Sequence, residues 1–495
     1  MPSPFLFGFE GTTASKATVR LLRDTDAAGI LLLARNITSP KQVKGLVRDL
    51  EQKVGRRLIV SIDHEGGWVM RFSSGVTFLP GNGALGRAGR EDWAEQAGAV
   101  MGRELAALGV NFNLAPVLDV LGPGYNPGIG IRSFGRFPEL VGRLGAAFIR
   151  GQEGHGVAAC AKHFPGKGAA KVDAHVDLPL IKLTPKELES HLAPFRCAVS
   201  AGVASVMTSH VLMPAVDKLA PATFSRKAVH GLLRRRLGYR GVIISDDLCM
   251  GAVTKRMPVG EAAVSALAAG HDLLIVAHGE ALMREAHEAV GMALEGGLLP
   301  PGERRALDAR LAGFLRRWAK GAKGSSPAPD AALARDISTA AVETLRIGRK
   351  TLPLRWPAWV RPKVLAVWPD LREVRERFAL EGGIEAPGRR VRAALSRWPA
   401  KLSWALSPVA SEKVPGGLAA AAKKADLVIS FCFEARRFPG QAAALAVLRK
   451  AAGAKLVAVL LRSPEDLDLL GPESSALTAH GYRDCQVDAL LAALR

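Results

Sequence analysis

Five cysteines are all that this chain of 495 residues carries. Cys160, Cys197, Cys249, Cys432 and Cys485 are odd in number and far apart, and no two form a CxxC pair. That argues against a disulfide framework and against a zinc site. Long apolar runs are also missing, since none reaches the roughly 18 residues that a membrane span requires. The opening Met-Pro-Ser-Pro enters a strand-like run at once, with no basic stretch leading into an apolar one, so no secretory signal is expected. A soluble protein of a reducing, cytoplasmic compartment follows as the expectation. Aromatic residues make up only 6%, and 46 acids face 67 Lys and Arg, for a formal net charge of +21. The basic residues recur along the whole chain, with short clusters at Arg234-Arg235-Arg236, Arg316-Arg317 and Arg389-Arg390. A nucleic-acid binder would gather them on one face beside a recognition motif. None is found, so nucleic acid is not expected as the primary partner. A field of this sign would attract anionic substrates.

The remaining composition, 48% hydrophobic and 23% charged, is that of a globular protein, and the length exceeds one ordinary core. Short apolar runs alternate with helix-like stretches, the rhythm of a parallel sheet. Eight such runs occur: Phe5–Phe9, Gly29–Leu33, Leu58–Asp63, Val110–Ala115, Val157–His163, Val203–Ser209, Gly241–Asp247 and Asp272–His278. That number over this length predicts a closed (β/α)₈ barrel of the TIM type, with an open doubly wound sheet as the alternative. Trp318–Pro329 is rich in Lys, Gly, Ser, Ala and Pro and reads as a linker. A helical pattern spans Ala331 to about Thr344, and apolar runs follow at Lys363–Trp368, Leu427–Phe433 and Leu456–Leu461. The expected division is a barrel over residues 1–320, a linker over 321–332, and a smaller α/β sandwich of parallel strands over 333–495.

Polar residues cluster at the C-terminal ends of the barrel runs, where such barrels place their chemistry. The seventh run delivers Asp246 and Asp247, and a carboxylate there can attack an anomeric carbon. Adjacent strand residues point to opposite sides, so only one of the two can do so. A bland alternative is a pair of acids capping the next helix. The fifth run ends in Lys162-His163 and passes into a Pro/Gly-rich loop carrying Asp173 two residues before His175. Asp173 could orient His175, which would then move a proton to and from a leaving oxygen. An exposed loop with an incidental acid and histidine is the plain alternative. After the third run, Asp63 could accept from two sugar hydroxyls with Arg71 bracing it. A structural salt bridge closing the strand is the plain alternative for this pair, and the same holds for Arg132, which would otherwise read as a surface residue.

Taken together, GFEGT at Gly8–Thr12, LLLARNI at Leu31–Ile37, DHEGG from Asp63 and NFNLAPVLDV at Asn111–Val120 form an ordered set. IGIRSFG at Ile129–Gly135, KHFPGKG at Lys162–Gly168 with its DAH, and SDDLCM at Ser245–Met250 complete it. The set resembles glycoside hydrolase family 3 in its bacterial β-N-acetylglucosaminidase branch, and KHFPG followed by DxH is the specific part. The stretch after 320 is similar to the family's second α/β domain more loosely. The resemblance implies a retaining, exo-acting enzyme that removes terminal β-linked N-acetylhexosamine through a covalent glycosyl-enzyme, without metal or organic cofactor. Its substrates would be small carbohydrates, typically muropeptide fragments released in peptidoglycan recycling. It implies Asp246 as nucleophile, His175 as acid/base held by Asp173, and Asp63, Arg71, Arg132, Lys162 and His163 as sugar-binding residues. His64 stands where Gln is usual, Trp68 where Arg is, Lys167 where His is common, and Ala174 where Ser often occurs, which bears on substrate preference. A β-glucosidase or β-xylosidase, a glycoside phosphorylase, and a non-catalytic barrel that binds cell-wall fragments or nucleic acid are the competing readings.

Overall fold

The computed structural model describes residues 1–320, 329–349, 352–374 and 386–495. Residues 321–328 of the expected linker lie outside the described residues, and Ala331–Ala340 is already helix. The chain divides into two compact units. The first comprises Met1–Glu65, Val69–Thr77 and Gly89–Pro329, and the second Gly66–Trp68, Phe78–Ala88 and Asp330–Arg495.

In the first unit all eight apolar runs become strands of one closed parallel barrel. These are β1 (Ser3–Phe7), β2 (Ala27–Leu32), β3 (Ile59–Ile62), β4 (Phe112–Asn113), β5 (Ala158–Phe164), β6 (Ser205–Thr208), β7 (Val242–Asp247) and β8 (Leu273–Val276). They follow chain order, and β8 pairs back onto β1. Strands covered on both faces read as unbroken apolar runs, which is why this part of the sequence was so legible. The shortest, β4, is supplemented by side chains. The Asn111 amide accepts from Val60 N–H (3.0 Å) and donates to the Leu58 carbonyl (2.9 Å). Asn113 does the same with the N–H (3.0 Å) and carbonyl (2.9 Å) of His64.

One end of the barrel is closed by the helix Pro301–Trp318. Its Leu311, Phe314 and Trp318 join one buried cluster with Ile59, Ala158, Val242 and Leu273, the first residues of β3, β5, β7 and β8. Phe314 meets Phe112 edge-on at 5.1 Å. The N-terminal end is therefore packed shut with apolar side chains, and the polar residues are left at the C-terminal mouth.

The second unit is a six-stranded sheet in the order β11-β10-β12-β13-β14-β9. The strands are β9 (Glu343–Arg346), β10 (Lys363–Pro369), β11 (Lys401–Ser407), β12 (Leu427–Cys432), β13 (Leu456–Leu460) and β14 (Ser475–Thr478). Alternate residues feed two separate cores. Val364, Ala366, Ile429, Phe431, Val457 and Val459 face one side, and Leu365, Val367, Val428, Leu456, Ala458 and Leu460 the other. Helices cover both faces, giving a three-layer α/β sandwich. Two details differ from the sequence reading. The helix expected to reach Thr344 stops at Ala340, and Glu343–Arg346 forms an antiparallel edge strand on β14. Strands β11 and β14 were also not anticipated. Trp68 belongs to this unit, where its ring packs on Phe433 (5.5 Å) and Tyr482 (5.8 Å) beneath the Arg462 guanidinium (3.9 Å).

Candidate active site

Acids and bases leave the C-terminal ends of β3, β5 and β7 and meet over the barrel axis. Lys162, at the end of β5, is almost wholly buried. Its Nζ lies 2.6 Å from Asp63 and 2.7 Å from Glu65, both just beyond β3. Arg132 donates from Nε (2.9 Å) and Nη2 (2.7 Å) to the two oxygens of Glu65, and from Nη1 to the Gly128 carbonyl (2.8 Å). Arg71 reaches Asp63 at 3.5 Å. A buried charge needs a partner, and each of these has one. Burial pushes the carboxyl of Glu65 up, but Arg132 and Lys162 outweigh it and bring it to about 2. Burial likewise opposes ionisation of Asp63, and Lys162 and Arg71 prevail, leaving it below the ordinary carboxylate range.

Successive strand residues normally diverge, yet Lys162 and His163 both serve this mouth. The pairing of β5 with β6 slips between Lys162 and Phe164, which permits it. His163 Nδ1 meets the carboxylate of buried Asp119 at 2.7 Å, and the other oxygen of Asp119 accepts from Lys167 N–H at 2.6 Å. Burial and the nearby cations Lys167, Lys162 and Arg132 depress His163 well below the usual histidine value, so its ring is neutral. Burial raises Asp119 to about 6, against the opposing pull of Lys167.

At the end of β7 the two neighbouring acids separate, as strand geometry requires. Asp247 turns to main chain, its Oδ1 accepting from Cys249 N–H and Ala277 N–H, both at 3.0 Å. Asp246 turns to the cations, with Lys167 Nζ 3.5 Å from its Oδ2. Burial raises the Asp246 carboxyl, but Lys167, His210, His175 and Lys162 outweigh that and bring it to about 2. The strand thus presents one carboxylate that stays ionised and one that ties the strand ends together.

The loop beyond KHFPGKG carries Asp173 and His175. Asp173 Oδ1 accepts from the His175 backbone N–H (3.1 Å) and lies 2.8 Å from its Nδ1. A carboxylate can only accept, so Nδ1 carries the hydrogen and Nε2 is the nitrogen presented at the lip of the mouth. Burial opposes ionisation of Asp173, yet its bonds to His175 hold it far below the ordinary range. The loop rests on a small apolar cluster of Ala174, Met250 and Ala252 with Leu178, and Ala252 N–H donates to the Ala174 carbonyl at 3.0 Å. Gly251 lies directly beneath, where a Cβ would come within 2.6 Å of the His175 carbonyl oxygen. The DxH loop is therefore seated on the residues that follow the SDD run.

All eight candidate residues, Asp63, Arg71, Arg132, Lys162, His163, Asp173, His175 and Asp246, fall at this one mouth. Sequence reasoning passed over Glu65 and Asp119, which neutralise Lys162 and Arg132 and anchor His163. Both lay inside quoted motifs, Glu65 two residues past the third run and Asp119 directly after Val117-Leu118. Of the departures noted above, His64 packs edge-on against Phe72 at 5.6 Å, and Lys167 enters the site. Among the described residues no group of three or more His, Cys, Asp or Glu is arranged to hold a metal ion, and no helix is long and apolar enough to cross a membrane.

Comparison with known proteins finds relatives of both the sequence and the fold. The sequence profile of the glycosyl hydrolase family 3 N terminal domain matches residues 8–300. A β-hexosaminidase of Thioalkalivibrio sulfidiphilus is 40% identical over 280 residues, covering 55% of this chain and 80% of its own. The structure of a family 3 β-N-acetylglucosaminidase from a Paenibacillus species superposes with a TM-score of 0.89 at 34% identity, covering 99% of this chain and 95% of that one. NagZ of Neisseria gonorrhoeae, solved with N-trifluoroacetyl-D-glucosamine, matches 63% of this chain and 98% of its own at 33% identity, with a TM-score of 0.54.

Proposed function

The chain belongs to glycosyl hydrolase family 3 and is a glycoside hydrolase acting on O-glycosyl bonds, and from that premise we propose that it is a retaining, exo-acting β-N-acetylhexosaminidase. The observation that carries the reading is one mouth holding a partly exposed carboxylate faced by a lysine ammonium, Asp246, and a carboxylate-oriented histidine, His175. Asp246 attacks the anomeric carbon while protonated His175 gives its Nε2 proton to the leaving oxygen. Water then adds to that carbon, His175 takes its proton, and the bond to Asp246 breaks. Two inversions at one carbon return the β configuration. Asp173 stabilises the protonated ring and fixes its tautomer. Asp63 accepts from sugar hydroxyls, Lys162, Arg132 and Arg71 supply donors around it, and neutral His163, its Nδ1 hydrogen held by Asp119, offers Nε2 as an acceptor.

The relatives bearing amino-sugar names favour N-acetylglucosamine as the released unit. The net charge of +21 suits an aglycone carrying carboxylates, so a muropeptide fragment is the substrate we assign. Recycling of peptidoglycan in the cytoplasm, where five thiols persist unpaired, is the setting this implies. The test is a panel of nitrophenyl β-glycosides in the presence and absence of phosphate, with the product anomer read by NMR. Release from the N-acetylglucosaminide alone, with the β anomer of the free sugar appearing first, is expected. An α product, a sugar phosphate, or preference for the glucoside or xyloside would overturn the assignment.

A further inference from the structure

Lys167 is the cation nearest the proposed nucleophile, and the fold holds it there from both sides. Its backbone N–H donates to Asp119 (2.6 Å), and its carbonyl and that of Gly168 accept from the Asn126 side chain at 3.0 and 2.9 Å. Gly166 has φ +115°, a value that favours glycine, and a Cβ on Gly168 would lie 1.9 Å from the Val120 carbonyl oxygen. Neither neighbour can be replaced without moving the loop, so the Lys167 backbone has one position. From it the side chain runs, 6% exposed, to Nζ 3.5 Å from Asp246 Oδ2.

The two chemical steps use this contact in opposite ways. In the first, the Asp246 oxygen forms a bond to the anomeric carbon, the bond to the leaving oxygen breaks, and the proton of His175 goes with that oxygen. The carboxylate becomes an ester and its attraction to Lys167 is lost. In the second, water bonds to the same carbon, its proton returns to His175, and the ester oxygen departs as a carboxylate facing Lys167 again. A fixed ammonium at this place therefore disfavours formation of the glycosyl-enzyme and favours its breakdown. Positive charge developing on the sugar is repelled by Lys167 in both steps, but the departing carboxylate, in direct contact with the ammonium at 3.5 Å, is the nearer charge and sets the sign.

Building on the proposed retaining mechanism, we propose that Lys167 is a positioning residue that acts through Asp246 to speed release of the covalent sugar, so that the glycosyl-enzyme does not accumulate. The test uses the full chain and 2,4-dinitrophenyl β-N-acetylglucosaminide, whose leaving group makes the first step fast. Lys167→Met should lower kcat about tenfold, the equivalent of one pKa unit of interaction, while kcat/KM, which reports the first step, is unchanged or higher. KM then falls with kcat, stopped-flow shows a burst of dinitrophenolate near one equivalent, and intact-protein mass shows one added sugar. Lys167→Arg should abolish the burst, and Lys167→His at pH 8, uncharged, should behave as the Met variant and so supplies a second neutral side chain if that one folds poorly. Equal falls in kcat and kcat/KM without an adduct, or no change in either, would overturn the inference while leaving the hydrolase reading intact. Failure of the wild type to act on any amino-sugar glycoside would instead overturn the reading on which it rests.

Discussion

Replacing Gly251 by alanine tests whether the seating of the DxH loop matters to catalysis. The added Cβ would stand 2.6 Å from the His175 carbonyl oxygen and 3.0 Å from that of Val176. Both are backbone atoms and cannot swing aside as a side-chain tip would. Restoring an ordinary 3.4 Å contact requires the His175 carbonyl to retreat by about 0.8 Å, the difference between 3.4 and 2.6. A displacement of about 1 Å at a catalytic group can lower rates on the order of 100-fold, so kcat/KM should fall between roughly 10- and 100-fold, or about 1.4 to 2.7 kcal/mol. Stability should hardly change, because Gly251 opens a helix and alanine favours that conformation by up to about 1 kcal/mol. The assay is hydrolysis of nitrophenyl and dinitrophenyl β-N-acetylglucosaminides alongside a melting curve. The loss should be larger for the poorer leaving group, since only that substrate depends fully on the proton from His175. Wild-type kcat/KM on both substrates would refute the argument that the residues after Asp247 place the acid.

Three further substitutions have defined outcomes. His175→Ala should reduce turnover of natural glycosides far more than of dinitrophenyl ones, and equal losses would count against the acid role. Glu65→Gln leaves buried Lys162 and Arg132 short of one negative charge, so urea unfolding should show a loss on the order of 3 kcal/mol, and unchanged stability would contradict the network. Glu153 is raised by burial from 4.5 to about 7, and its Oε1 accepts from Ala159 and Ala204 N–H. A raised carboxyl contributes stability that is present below its unfolded value and lost as pH climbs through 7. Glu153→Gln keeps the acceptor and removes that loss. The variant should match wild type near pH 4.5 and gain up to about 3 kcal/mol by pH 8, from roughly 2.5 units at 1.36 kcal/mol each. A difference in melting temperature that does not vary with pH would rule this out.

The barrel was readable because parallel strands buried on both faces leave continuous apolar runs, so even the two-residue β4 showed through Val110–Ala115. The sandwich was read only in its centre. β10, β12 and β13 are buried on both faces, whereas β11 alternates partly exposed residues, β14 spans only Ser475–Thr478, and β9 exposes Thr344, so its sequence looked like the tail of a helix. At the site, residue types and their place after strands pointed to the Asp246-Asp247 pair and to Asp173 and His175 as candidates, and the choice of Asp246 came from the family resemblance. What the sequence hides is which charges neutralise one another. Asp119 directly follows Val117-Leu118 and is fully buried, a sign that it must have a partner, but that the partner is His163 depends on β4 and β5 lying side by side. Lys167 was visible as an unusual residue, and only the closed barrel places it against Asp246.

The central claim, that Asp246 carries the sugar between the two steps, is tested most directly by trapping. The enzyme would be treated with a 5-fluoro N-acetylglucosaminyl fluoride, digested, and the labelled peptide sequenced by mass spectrometry. One sugar bonded to Asp246 in wild type, with none in Asp246→Asn, is the predicted result. A label on any other residue, or rapid turnover by Asp246→Asn, would contradict the account.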